Sequence, residues 1–123
     1  MTQIFPQLTG TVIPGRGLGK GLGAPTLNFD TKPEGLEFGV YIGVTTFEQK
    51  KYPSVAHWGP RPTVDLQDPI LEVHLLDFSK DLYGEEVQFH FLKKIRDVLR
   101  FSSPQELKLQ IARDVLEARA FFA

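Results

Sequence analysis

The chain contains no cysteine. Disulfides, thiolate metal sites and cysteine nucleophiles are excluded with it. An excess of charge of one sign is also missing: 14 Lys and Arg stand against 15 Asp and Glu, a net charge of −1 at pH 7. Nothing global argues for nucleic acid or an anionic membrane as partner. No apolar run approaches the roughly 20 residues that span a bilayer. The opening "MTQIFPQLTG" has neither the basic start nor the apolar run of a signal peptide. Repeats, low-complexity tracts and linkers are lacking too. The expectation is one cytoplasmic domain over residues 1–123, with ten Phe side chains for its core.

What is present alternates. "LTGTVIP" is short and β-branched, and reads as a strand running into a glycine-rich loop at Gly15. "PTLNF" can be extended. "GVYIGVTTF" and "KKYPSVAHW" read as two strands joined by a turn near Glu48, with Pro53 placing part of the second at an edge or a bulge. "GPRPTVDLQDP" reads as a long polar loop. In "ILEVHLLDF", Leu71, Val73 and Leu75 point one way while Glu72 and His74 point the other. "YGEEVQFHF" puts Val87, Phe89 and Phe91 on one face.

The period then changes. Ser103, Pro104 and Glu106 are a helix start: a cap, a proline at the first helical position and the acid of a capping box. Leu107, Ile111, Val115, Ala118 and Phe122 follow at helical spacing. Six strands and one amphipathic helix imply a small antiparallel barrel or sandwich closed by a C-terminal helix.

The stretch "GRGLGKGLGAPTLNFD" invites a phosphate reading, but it fits neither common motif. A P-loop would need glycine where Pro14 stands and Ser or Thr where Gly21 stands, and no register gives G-x-G-x-x-G before a helix. Five glycines in nine residues still leave backbone N–H groups free to form an anion nest, with Arg16 and Lys20 adding charge. The plain alternative is a surface loop. Thr26 and Asn28 lie two apart, so an extended segment faces both the same way. Their hydroxyl and amide oxygens are hard ligands of the kind magnesium accepts beside phosphates.

Taken together, the blocks resemble the riboflavin kinase (flavokinase) family. Gly15, Gly19, Lys20, Leu22, Gly23, Pro25, Thr26 and Asn28 follow the family's G-x-x-x-G-K/R-x-L-G-x-P-T-x-N signature. "FGVYIGV", "WGPRPT", "LEVHLLDFSKDLYGEEVQFHF" and "IRDVLRF" with "QELKLQIARDVLEAR" are similar to its later blocks, in family order. The resemblance covers about residues 10–119. It implies a six-stranded antiparallel Greek-key barrel with a C-terminal helix. It also implies ATP-dependent phosphorylation of the riboflavin 5′-hydroxyl, giving FMN and ADP with Mg2+. In many bacteria such a module is the C-terminal half of a bifunctional FAD synthetase. Only nine residues precede Gly10, so a free-standing kinase or an excised module is expected. Riboflavin and ATP are the implied partners, for a monomer that engages neither nucleic acid nor membrane.

By the same resemblance, Glu72 matches the catalytic base, and Asn28 can hold it in place. Thr26 and Asn28 match magnesium and nucleotide ligands. Gly15, Gly19, Lys20, Leu75, Asp77 and Tyr83 match nucleotide contacts; Arg96, Leu99 and Phe101 match the flavin-contacting stretch. Each has a plainer alternative: a solvated carboxylate for Glu72, core for Leu75, a turn cap for Asp77, ring packing for Tyr83. His74 reads as a structural neighbour of Glu72. His57 and His90 have no partner visible in the sequence. Ala24, Leu27, His57, Trp58 and Val98 depart from the family pattern. The competing reading is a flavin- or nucleotide-binding module of the same fold without turnover. A barrel for RNA or sugar is disfavoured by the lack of a basic stripe and of an aromatic array on a strand face.

Overall fold

In a computed structural model, six strands and a helix follow one another: β1 (Gln7–Ile13), β2 (Leu27–Phe29), β3 (Gly39–Phe47), β4 (Lys50–Arg61), β5 (Leu66–Leu75), β6 (Glu86–Arg96) and α1 (Pro104–Phe122). The structure describes residues 5–13, 26–61, 66–78 and 80–123. All pairings are antiparallel, and the strands close in the order β1-β2-β5-β4-β3-β6. β3, β4 and β5 are successive neighbours, and β6 returns to lie beside β3, which is Greek-key order. The expected fold class is the one that forms.

Alternation fills the barrel. Leu71, Val73 and Leu75 of β5 meet Val87, Phe89 and Phe91 of β6 in one interior cluster. Phe89 needs room that only glycine leaves on β3. A Cβ on Gly43 would stand 2.3 Å from Phe89 Cζ and 2.4 Å from the His90 carbonyl oxygen. The β3–β6 register shifts beside that residue, between Ile42 and Gly43. Outside the barrel, Ile42 and Leu76 pack with Val115, Ala118 and Phe122 of α1.

The helix starts where its sequence indicates. The Ser103 hydroxyl accepts from the Glu106 N–H at 3.2 Å, and Pro104 opens the first turn. Glu106 accepts in return from the N–H of Ser102, one residue earlier than a capping box requires, also at 3.2 Å. The Ser102 side chain, and after it that N–H, hold the Glu106 carboxyl below its ordinary pKa. Leu107 and Ala118 are buried as the helical spacing predicts, and so is Asp114. Among the described residues, no helix is long and apolar enough to cross a membrane.

One expectation is corrected. Most of the segment read as a long polar loop is strand: Gly59 to Arg61 prolong β4, and Leu66 to Pro69 begin β5. Gly59 takes φ 137°, and a register shift between Gly59 and Arg61 absorbs the irregularity. Pro53 does lie at an edge, as expected: β4 pairs with β3 from Lys50 onward but with β5 only from Ser54 onward. The Pro53 carbonyl accepts from the Leu76 N–H at 2.8 Å. The N and C=O of a strand residue face the same neighbour. The missing N–H of Pro53 therefore faces the place where β5 has just ended, and no ladder bond is lost.

Candidate functional site

Strand register decides which polar side chains meet. Asn28 of β2 stands opposite Glu72 of β5, and Glu72 stands opposite His57 of β4. His57 is opposite Val40 of β3, itself opposite Arg96 of β6. Directly paired residues share a face. Since Leu71 and Val73 point into the barrel, this row lies on its outer surface.

Glu72 is only 2% exposed. A carboxylate taken so far from water needs hydrogen bonds, and the Thr26 hydroxyl donates one to its Oε2 at 2.7 Å. Thr26 immediately precedes β2, so the strand that sets Asn28 also delivers Thr26. A hydroxyl that spends its hydrogen on a carboxylate keeps oxygen lone pairs for a cation. The structure thus gathers three of the predicted residues, Thr26, Asn28 and Glu72, from two strands far apart in sequence. Two neutral oxygen side chains beside a carboxylate suit a hard cation whose other ligands are phosphate oxygens and water. Among the described residues, no cluster of three His, Asp or Glu is arranged to hold a metal by itself.

His57 gains the partners its sequence does not reveal. Its Nε2 lies 3.1 Å from the Gly59 carbonyl and 2.9 Å from that of Pro60. Carbonyls only accept, so Nε2 carries the hydrogen. The ring thereby ties down the irregular end of β4, next to Glu72. His74 is half-buried on the same strand face as Glu72, and His90 is exposed on β6.

The nucleotide expectations divide. Leu75 is 3% exposed with its side chain in the interior cluster, a packing position. Asp77 sits just past β5 in left-handed backbone, φ 59°. Its Oδ2 accepts from Nη1 of Arg119 at 3.0 Å and its Oδ1 from Nη2 at 2.9 Å. That guanidinium holds the Asp77 carboxyl below the ordinary aspartate pKa, and the Arg119 pKa rises in return. Tyr83 exposes its ring, while its N–H bonds to Asp81 at 2.9 Å. Gly15, Gly19 and Lys20 lie outside the described residues.

Arg96, at the end of β6, is held on three sides. Its Nε and Nη2 donate to the two oxygens of Asp114 at 2.9 and 2.8 Å, and Nη1 donates to the Asp97 carbonyl at 3.1 Å. Gln110 adds a bond to Asp114 at 3.1 Å. The guanidinium carbon stands 5.8 Å from the Phe101 ring centroid, within cation–π range. Phe101 is half-buried, and Leu99 is exposed. Lys94 pairs with Glu37 and, at 2.6 Å, with Asp97; both carboxylates push its pKa up. Sequence reasoning missed Asp114 and Arg119. For Asp114 a signal existed: it falls on the helical spacing of Leu107, Ile111 and Ala118, and a carboxylate inside an apolar stripe needs a partner.

The family model described as Flavokinase, riboflavin kinase, matches residues 4–122. A bifunctional riboflavin kinase/FMN adenylyltransferase of Escherichia coli is 46% identical over 117 residues, which is 94% of this chain and 37% of the relative. An RNA-binding riboflavin kinase of Bacillus subtilis is 40% identical over 109 residues, 88% of this chain and 47% of the relative. The chain therefore spans less than half the length of these curated relatives. Among solved structures, riboflavin kinase from Trypanosoma brucei aligns with a TM-score of 0.66 at 25% identity, covering 94% of this chain and 75% of that one. A Streptococcus pneumoniae protein named a macrolide-efflux protein aligns at 0.81 and 31% identity, covering 94% and 38%.

Proposed function

The chain belongs to the riboflavin kinase family, and on that premise we propose that it transfers the γ-phosphoryl group of ATP to the 5′-hydroxyl of riboflavin. The observation that carries this reading is the buried Glu72 carboxylate, bonded to Thr26 and paired in register with Asn28. Phosphoryl transfer asks little covalent chemistry of a protein; it asks for alignment and a place for one proton. Glu72 takes the proton of the riboflavin hydroxyl as the oxygen forms its bond to the γ-phosphorus. The bond from that phosphorus to the ADP oxygen breaks, and FMN and ADP leave. Thr26 fixes the carboxylate by donating to Oε2.

Thr26 and Asn28 would hold the Mg2+ that accompanies ATP, whose chemistry is to neutralise phosphate charge. Asp77 and Tyr83 bound the nucleotide side; Leu99 and Phe101 offer apolar surface to the flavin ring. Leu75 supports the nucleotide side from within the core. The near-zero net charge argues that this chain, unlike its Bacillus subtilis relative by name, acts on small molecules without nucleic acid. The proposed setting is the cytoplasm, and the proposed state is a monomer.

The test is chromatography of FMN formed from riboflavin and Mg-ATP. Glu72→Ala is expected to lower kcat by about 10²–10⁴-fold and to leave riboflavin affinity within about threefold. A wild type that binds riboflavin but makes no FMN supports the binding-module reading instead. A Glu72→Ala variant with full turnover overturns the assignment of the base.

A further inference from the structure

Helix α1 reaches the barrel through two fork-shaped ion pairs of opposite polarity. At Asp114 the helix supplies the carboxylate and β6 the guanidinium; at Arg119 the helix supplies the guanidinium and the turn after β5 the carboxylate. The two helix positions are five residues apart, about 7.5 Å along the axis. Arg96 lies on the flavin side of the reading above, and Asp77 on its nucleotide side.

Each pair solves a problem that its barrel residue has. Arg96 spends three of its five N–H donors on Asp114 and Asp97, which fixes the orientation of its planar face, set 5.8 Å from the Phe101 ring. Asp114 thus fixes the plane on which Phe101 rests and cancels its charge beside an uncharged ring system. Asp77 has the reverse difficulty. An ionised carboxylate only accepts hydrogen bonds, and an unpaired one repels a polyphosphate. Arg119 cancels that charge and, by engaging both oxygens, leaves the remaining lone pairs for hydroxyl or amine donors of a nucleoside.

We propose that Asp114 and Arg119 are positioning residues, one for each substrate: Asp114 sets the flavin side through Arg96 and Phe101, and Arg119 sets the nucleotide side through Asp77. This rests on the kinase reading.

Two affinities test it: riboflavin by quenching of its own fluorescence, and Mg-ATP by isothermal titration. Asp114→Asn is expected to weaken riboflavin about tenfold, the worth of one charged hydrogen bond, with ATP changed less than about twofold. Arg119→Gln is expected to weaken ATP by about threefold, as suits an exposed pair, and to leave riboflavin unchanged. Arg119→Lys, which restores charge without the fork, should recover part of the ATP affinity. A merely structural role moves both affinities together or neither, and either result overturns the proposal. Should Asp114→Asn fail to fold, the exposed Arg119 pair still decides through the two Arg119 variants. A wild type that binds neither substrate overturns the kinase reading and this proposal with it. One that binds both without turnover overturns only the kinase reading, because the two affinities still test the positioning roles.

Discussion

The Arg96–Asp114 and Arg119–Asp77 pairs use the same fork, with both carboxylate oxygens engaged at 2.8 to 3.0 Å. Their surroundings are opposite. The side chains of Arg96 and Asp114 are 17% and 4% exposed, whereas those of Arg119 and Asp77 are 48% and 75% exposed. In the buried pair the Asp114 charge depends on Arg96, since it has almost no water to fall back on. In the exposed pair solvent replaces whichever partner is lost. Equal geometry therefore carries unequal consequences for folding. The buried pair is part of what holds α1 to the barrel, while the exposed pair sets charge and direction at a turn.

The largest effect should follow from breaking the buried pair on one side. Asp114→Ala strands the Arg96 guanidinium and is expected to cost about 3–5 kcal/mol, read as a lower midpoint in urea. Replacing both partners, as in Arg96→Met with Asp114→Leu, should return most of that stability, because two apolar side chains need no compensation. If the double variant is as unstable as the single one, burial of an unpaired charge is not the cause. A much smaller effect is expected at the exposed pair: Arg119→Gln should leave the urea midpoint where it is, and a clear drop would erase the contrast.

The subtlest probe is acid. Arg119 depresses the Asp77 pKa, so the pair's contribution is present above the ordinary aspartate value of 3.8 and is lost as pH falls through the lower folded value. Carboxyl NMR should find the Asp77 midpoint below 3.8, moving back toward it in Arg119→Gln. A midpoint at or above 3.8 in the wild type would mean that the fork is not held in solution.

Much of the architecture was legible because it is written in local periods. The alternation in "ILEVHLLDF" separates Glu72 from the core, and the spacing from Leu107 to Phe122 shows the helix face. β4 was harder. Gly59 and Pro60 carry loop chemistry, and the strand is carried past them by β5 pairing at Gly59 and Arg61, with an irregularity between. The candidate site residues were indicated by resemblance, and the contacts among them were not. Thr26, Asn28, Glu72 and His57 meet through register, a property of strands far apart in the chain that no local pattern encodes. Asp114 broke the helix pattern visibly, yet its partner Arg96 sits on a strand whose outward residues are mixed.

β2 is three residues long, with two register partners on β1 and two on β5. Among the described residues, every other strand has more register partners in all. Local opening is cheapest where backbone anchorage is least, so the barrel's lowest-energy breach runs along this strand. Breathing there parts the Thr26 hydroxyl from the Glu72 carboxylate while the β3–β4–β5 meander stays intact. Closing the cylinder and joining the Thr26 hydroxyl to the Glu72 carboxylate are one event, and the seam that makes the barrel a barrel also sets the fraction of time for which that contact exists.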